Sequence, residues 1–317
     1  MSSGAPQRPP LGADSAAALG PPPGSERGEQ LPPRDLRIGP RRFSAGRLGF
    51  FKHLERLLVA LGGRSFYARA FLAPGRFRVR RELLRIAGLP PGLEGLRLVQ
   101  FSDIHAGPFL GPGDLEHVVA AANALRPDLA LFTGDLLCHR TEEAFLPLRD
   151  LAGVRARLGC FGVFGNHDYK GRREGEIAAR YAAEAGWTFL RNEGRRFELQ
   201  GAGLYLTGLE DLEESKGVDL QAARRGLQRG DLEVALVHNP LGGPALAGGA
   251  CRLVLSGHSH GGQIALPWIR RLAPPHPGDR REQAGTTLIV SHGLGALGCP
   301  LRIRAVPELV LVEFAGA

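Results

Sequence analysis

The chain has 317 residues, 43% of them hydrophobic and 23% charged. It is long enough for one large domain or two small ones, and too apolar for a wholly disordered or collagen-like protein. Forty Lys and Arg against 32 Asp and Glu give a net charge of +8, but the excess is local: Arg41 to Ile86 holds 12 basic and 2 acidic residues, whereas the remainder holds 28 basic and 30 acidic.

Residues 1–40 contain nine Pro and six Gly and few large apolar side chains. Such a stretch buries too little surface to offset its ordering entropy, so a disordered tail is expected. Residues 41–90 form a basic lead segment and residues 91–317 a folded domain. Within the lead, Leu48, Phe51, Leu54, Leu58 and Leu61 recur at helical spacing, with Lys52, His53 and Arg56 off the stripe. Two readings stay open for this helix: it lies on an anionic membrane surface, or it packs on the domain with a solvated basic face. No apolar run of about 18 residues is free of charge, proline or amide, so no spanning segment is expected. Arg41-Arg42-Phe43 faintly suggests a twin-arginine signal, yet Lys52, His53, Glu55 and Arg56 interrupt its apolar core. Cys138, Cys160, Cys251 and Cys299 form no C-x-x-C pair, which fits reduced thiols and a cytoplasmic protein, held in the membrane reading at the inner membrane surface.

From Leu96 onward, short aliphatic runs recur: LRLVQFS, DLALFTG, FGVFG, LYLTG, EVALVH, RLVLSG, TLIVSHG and ELVLVEF. Helical patterns lie between some of them, one through Leu115, Val118, Val119, Ala122 and Leu125, another around 176–185 closed by Gly186. Runs that are apolar at nearly every position are strands covered on both faces, so the domain is a layered α/β structure.

Five of these runs end directly in metal-ligand side chains: Asp103 and His105, then Asp135, then Asn166-His167-Asp168, then His238, then His258 and His260. In open α/β sheets ligands bind just beyond the carboxyl ends of strands, so the five loops can converge. Carboxylate and neutral imidazole suit borderline divalent metals, and no cysteine takes part. A lone D-x-H or a lone histidine carries little weight, because both occur by chance. Five such endings together have no packing rationale.

The succession D-x-H, G-D, G-N-H-D, H, G-H-x-H resembles the signature of the calcineurin-like metallophosphoesterase superfamily, over about Leu93 to Phe314. The stretches FSDIHAG, FGNHDY, LTGLEDL, GHSHGGQIALPW and HGLGALGCPLRI are most similar to its bacterial YaeI/YkuE-like branch. The resemblance implies a four-layer α/β/β/α sandwich with a dinuclear metal site at the carboxyl ends of the strands, and makes residues 91–317 the catalytic domain. Asp103, His105 and His260 would hold one divalent ion, Asn166, His238 and His258 the other, and Asp135 would bridge them. Mn²⁺ is the first expectation, with Zn²⁺ or Fe²⁺ as alternatives. A hydroxide generated between the ions would attack phosphorus in line, while His167 stabilises charge or protonates the leaving oxygen. Gln263 and His292 are candidate substrate contacts.

Two departures qualify the resemblance. The protein-phosphatase branch orients its catalytic histidine with an acidic residue three positions after the bridging aspartate. Here that position is Cys138, which argues against protein phosphatase activity and leaves Asp168 or a backbone carbonyl to orient His167. Ser291-His292-Gly293 stands where Ser-Arg-Gly is expected. His53, His117, His139 and His276 read as surface residues and Trp187 as packing, while Trp268 is a candidate wall of the substrate cleft. The expected activity is metal-dependent hydrolysis of a phosphodiester or pyrophosphate bond, on a phosphorylated small molecule or a lipid-linked substrate such as UDP-2,3-diacylglucosamine. The alternative is a nuclease or nucleotide phosphodiesterase, disfavoured by the near-neutral catalytic portion. A non-catalytic scaffold is disfavoured because His167 and all seven ligand positions are present.

Overall fold

Side chains along the central strands alternate between two dry faces, and this alternation builds the layers. The computed structural model describes residue 38, residues 45–266 and residues 278–317, all within the unit Asp35–Ala317. The expected tail over 1–40 lies outside the described residues, apart from Ile38, as do Trp268 and His276.

The strands are β1 (Arg78–Ile86), β2 (Arg97–Phe101), β3 (Leu129–Thr133), β4 (Cys160–Val163), β5 (Trp187–Phe189), β6 (Glu193–Leu199), β7 (Ala202–Gly208), β8 (Leu232–Leu236), β9 (Cys251–Ser256), β10 (Arg280–Gln283), β11 (Thr286–Val290) and β12 (Glu308–Gly316). They form two six-stranded sheets, ordered β1-β12-β2-β3-β4-β5 and β10-β11-β9-β8-β7-β6. Strands β2 to β5 run parallel, as do β7, β8, β9 and β11. Strand β12 is antiparallel to β2 and parallel to β1.

Leu98, Leu129, Leu131, Val310 and Val312 from the first sheet meet Leu206, Val234, Leu236, Leu253 and Leu255 from the second in one buried cluster between the sheets. Their neighbours Val99, Phe101, Ala130, Phe132 and Leu311 face outward, against Val118, Val119 and Ala122 of the helix Glu116–Ala124 and Ile177 and Tyr181 of the helix Glu174–Ala185. On the other side Ala235, Val237 and Val254 pack with Ala223 and Leu246 of two short helices. The result is the four-layer α/β/β/α sandwich, with every central strand dry on both faces.

All eight runs read from the sequence are strands, and they are the eight interior strands. The four that escaped notice (β1, β5, β6 and β10) are the four sheet edges. Edge strands carry polar and charged side chains that face water and discourage pairing with other chains, so they lack the continuous apolar signal. Strand β10 (RREQ) is exposed at every position, and β1 has only Leu84 and Ile86 fully buried.

Strand β1 comes from the lead segment, so the division drawn at residue 90 is crossed by its pairing with β12. The helix Ala45–Ala60 precedes it, with Lys52, His53 and Arg56 exposed. Leu58 packs against the helix-side core and Glu55 is buried, whereas Leu61 of the expected stripe is 75% exposed. Two further anchors hold the lead segment: Arg64 pairs with Asp114 at 2.8 Å, and the Tyr67 hydroxyl donates to the Leu294 carbonyl at 2.7 Å. Trp187 is buried and donates its indole N–H to the Leu151 carbonyl. The four cysteines are free. No helix among the described residues is long and apolar enough to cross a membrane.

Candidate metal centre

Because β2, β3, β4, β7, β8, β9 and β11 point the same way within their sheets, their carboxyl-terminal loops gather at one rim of the sandwich. Asp103 and His105 follow β2, Asp135 follows β3, Asn166 and His167 follow β4, His238 follows β8, and His258 and His260 follow β9. These loops turn back so sharply that five of the residues have left-handed backbone: Asp103 (φ 47°), His105 (44°), Asp135 (62°), His258 (69°) and His260 (51°). Each such residue costs about 1–3 kcal/mol, and strain of this kind persists only where the surroundings overdetermine it.

Glycine permits the close approach. A Cβ on Gly257 would lie 2.2 Å from an Asp103 carboxylate oxygen, and one on Gly165 would lie 2.2 Å from Asp135 Oδ1. Asp168 does the fastening: its carboxylate accepts from the backbone N–H groups of Asp135 (2.9 Å), Leu136 (2.8 Å), Leu137 (3.3 Å) and Gly165 (2.8 Å). It ties the β3 and β4 loops together and leaves the orientation of His167 to another group.

Two clusters of donor atoms share one carboxylate. In the first, His105 Nε2 and His260 Nε2 are 3.0 Å apart with their rings stacked, and Asp103 Oδ1 is 3.4 Å from His260 Nε2. In the second, Asn166 Oδ1 lies 3.2 Å from His238 Nε2 and 3.1 Å from His258 Nδ1. Asp135 Oδ2 is 3.3 Å from both His105 Nε2 and His238 Nε2. The ring of His238 is set by its Nδ1, which donates to the Thr133 carbonyl at 2.7 Å and leaves Nε2 facing Asp135. Burial pushes His105 and His260 well below the ordinary imidazole range, with Arg302 adding to the effect at His260. At His238 burial acts in the same direction, but the Asp135, Asp103 and Asp211 carboxylates outweigh it and hold the ring well above that range. Converging carboxylate, carboxamide and imidazole donors of this kind fit divalent cations, and the donor atoms of Asp103, His105 and His260 lie within 4.8 Å of one another, as do those of Asp135, His238 and His258.

His167 stands beside the clusters, its ring edge-on to His105 at 4.7 Å between centroids. Its backbone N–H donates to Asp135 Oδ1 (2.9 Å), and its Nδ1 lies 2.6 Å from the Cys138 carbonyl. A backbone carbonyl therefore occupies the place of the acidic orienting residue. Lys170, which sequence reasoning missed, brings its ammonium within 2.6 Å of the same Nδ1 and 3.3 Å of the Cys138 carbonyl. Chiefly through burial, His167 is pushed down to about 4.

The two candidate substrate contacts are placed differently. Gln263 donates to the carbonyls of Leu297 and Cys299 and accepts from the Leu297 N–H, so its amide clamps the 297–299 loop. His292 Nε2 lies 2.9 Å from Asp279 Oδ1. Where sequence reading left His139 on the surface, it is half-buried and bridged to Glu55 of the lead helix at 2.9 Å. His53 and His117 are exposed.

The model of the calcineurin-like phosphoesterase family matches residues 96–262, the span that holds both clusters. The chain belongs to that family. It is 31% identical over 273 residues to the metallophosphoesterase YkuE of Bacillus subtilis (strain 168), across 83% of this chain and 94% of that protein. It is 26% identical to the phosphodiesterase YaeI of Escherichia coli (strain K12), across 77% of this chain and 90% of that one. A shorter likeness, 35% over 99 residues, links it to the UDP-2,3-diacylglucosamine pyrophosphatase LpxG of Chlamydia muridarum, across 31% of this chain and 30% of that protein. As a member of the family, the chain is a metal-dependent phosphoric ester hydrolase.

Proposed function

We propose that this protein cleaves a phosphodiester or pyrophosphate bond with two divalent ions, one held by Asp103, His105 and His260, the other by Asn166, His238 and His258, with Asp135 shared. The observation that carries this reading is the position of Asp135 Oδ2, 3.3 Å from a histidine nitrogen of each cluster. When bound, two such ions neutralise phosphoryl oxygens as Lewis acids and lower the pKa of a coordinated water. Mn²⁺ suits the oxygen-and-imidazole donor set, with Zn²⁺ and Fe²⁺ as the alternatives.

The chain's own residues do the rest. Asp135 receives the His167 backbone N–H and so fixes the β4 loop relative to both clusters. His167, oriented from behind by the Cys138 carbonyl, acts on the phosphoryl group or the leaving oxygen in its protonated form, which an anionic phosphate beside the ring would favour over the neutral form that burial favours. Lys170 adds a cation at the mouth that favours an anionic substrate. Gln263 clamps the 297–299 loop and His292 faces Asp279, and both stay candidate substrate contacts at the rim.

The decisive measurement is hydrolysis of bis-p-nitrophenyl phosphate against the monoester, with and without Mn²⁺, for the native protein and Asp135→Asn. Metal-dependent diester cleavage lost in the variant supports the reading; turnover that ignores metal or survives the substitution overturns it.

The substrate class follows from the lead helix and from the likeness to LpxG. Exposed Leu57, Val59, Leu61 and Phe66 lie in a stretch with exposed Lys52, Arg56 and Arg69, a pairing of apolar and cationic groups that suits an anionic membrane surface. A lipid-linked phosphate or pyrophosphate, presented at the inner membrane surface, is the proposed substrate. Each basic residue near such a surface contributes about 1 kcal/mol. The double variant Lys52→Gln/Arg56→Gln is expected to lose roughly tenfold or more in binding to phosphatidylglycerol vesicles while hydrolysing the soluble diester normally. Unchanged vesicle binding removes the membrane from the proposal.

A further inference from the structure

His258 is the one histidine of the two clusters that faces them through Nδ1: that nitrogen is 3.1 Å from Asn166 Oδ1 and 3.2 Å from His238 Nε2. Its other ring nitrogen, Nε2, points away and lies 3.3 Å from Glu213 Oε1, within ion-pair reach but without the alignment of a hydrogen bond. Both residues are buried. Glu213 is itself held in place. The Asn239 carboxamide donates to the same Oε1 at 2.9 Å, and the Glu213 backbone N–H donates to Asp211 Oδ2 at 3.0 Å. Asp211 Oδ2 also receives the Glu214 N–H at 2.7 Å, which shapes the loop after β7 around the glutamate. That loop, LEDLEE, leaves the sheet at the same rim as the ligand loops.

We infer that Glu213 is a positioning residue for His258, holding the ring through Nε2 so that the Nδ1 lone pair faces the second ion. This rests on the two-ion reading above. The imidazole has one proton to place. Carried on Nε2, the side that faces Glu213, it leaves Nδ1 as the acceptor that a cation needs.

Charge completes the argument. Among the private ligands, the first group contains a carboxylate, Asp103, whereas the second contains the neutral carboxamide Asn166. Glu213 supplies the second group with the missing negative charge from one residue further out. Among the described residues the first group has no carboxylate behind either of its histidines: His260 Nδ1 faces the Arg302 guanidinium at 3.4 Å, and His105 Nδ1 is buried without a hydrogen-bond partner. Glu213 therefore acts on one ion and leaves the other alone, an asymmetry that a merely structural ion pair does not produce.

The test is calorimetric titration of the full chain with MnCl₂ after chelator treatment, with ion content read by elemental analysis, for the native protein, Glu213→Gln and Asp103→Asn. The expected result for Glu213→Gln is one ion bound with native affinity and the other weakened about 10- to 100-fold, with the melting temperature of the chelator-treated protein unchanged. Asp103→Asn weakens one ion as well, and the double variant loses both. If Glu213→Gln binds both ions as the native protein does, the inference is overturned while the two-ion reading stands. If the native protein binds fewer than two ions, the two-ion reading itself fails. Should Glu213→Gln not fold, Glu213→Asp, one methylene shorter, repeats the test: a single weakened ion supports the role, and native affinity at both overturns it.

Discussion

The two halves of the candidate metal centre reach similar geometry by different chemistry. The Asp103, His105 and His260 half carries its charge where the proposed ion would be held, with Asp103 gripped by the Ser102 hydroxyl and the His258 backbone N–H. The Asn166, His238 and His258 half uses a neutral amide in the first row and relies on the groups behind it, the Thr133 carbonyl at His238 and Glu213 at His258. A cation at Arg302 backs the first half and an anion backs the second. The lesson is that ligand identity alone does not set the electrostatics of such a site. The residues behind the ligands decide how each nitrogen presents itself.

The largest expected effect removes the comparison altogether. Asp135→Asn takes away the one carboxylate that both halves use, and with it several kcal/mol of transition-state stabilisation, roughly a 10³-fold or greater fall in kcat on the diester together with loss of bound metal. A variant that kept both ions would show that the halves are independent. Next, His167→Gln leaves both halves intact and removes only the group proposed to act on the reacting phosphoryl. Its kcat should fall about 10²- to 10⁴-fold with two ions still counted by elemental analysis.

A third change loosens the halves against each other. Asp168→Ala strands four backbone N–H groups that now reach a buried carboxylate, and hydrogen bonds to charged groups contribute about 1.5–3 kcal/mol each. The denaturant midpoint should drop by the equivalent of at least about 3 kcal/mol, measured on chelator-treated protein so that ion loss is not counted. The smallest effect sharpens the contrast from the opposite side to Glu213. Ser102→Ala removes the hydroxyl that grips Asp103 and should weaken only the first half's ion, about tenfold in a Mn²⁺ titration. Equal weakening of both ions would mean that the halves communicate through the β2 loop.

The interior of the fold was legible because its signal is redundant. LRLVQFS, DLALFTG and ELVLVEF are apolar on both faces, and only a strand buried between two layers needs that. The edges were not legible, since RREQ at β10 or RVRRELLRI at β1 looks like solvated chain until its partner strand is known. The lead segment shows the same limit. Its helical spacing was evident, yet which residues face the domain was not, and Glu55 rather than Leu61 turned inward because His139 waits there.

At the site, Asp103, His105, Asp135, Asn166, His167, His238, His258 and His260 could be named in advance because each ends a strand-like run in a residue type that packing does not demand. Asp168 was in view, within G-N-H-D, but its task of tying two loops depended on where four N–H groups point. Glu213 left a trace that could have been followed: an acidic run directly after a strand, in the position where the other strands carried ligands. Lys170 and Arg302 left none, since isolated basic residues in a chain with 40 of them carry no pattern.

The sequence by itself determined the layered α/β fold, the family and the set of side chains gathered at the rim, because strand periodicity and the residues that end strands are local properties. Only the tertiary structure decided which nitrogen of each histidine faces the centre and which carbonyl orients His167. It also decided which half is backed by an anion and which by a cation. Those features depend on contacts between loops tens to hundreds of residues apart, such as Asp103 with His258 or Tyr67 with Leu294, and no local pattern encodes the direction in which a ring turns.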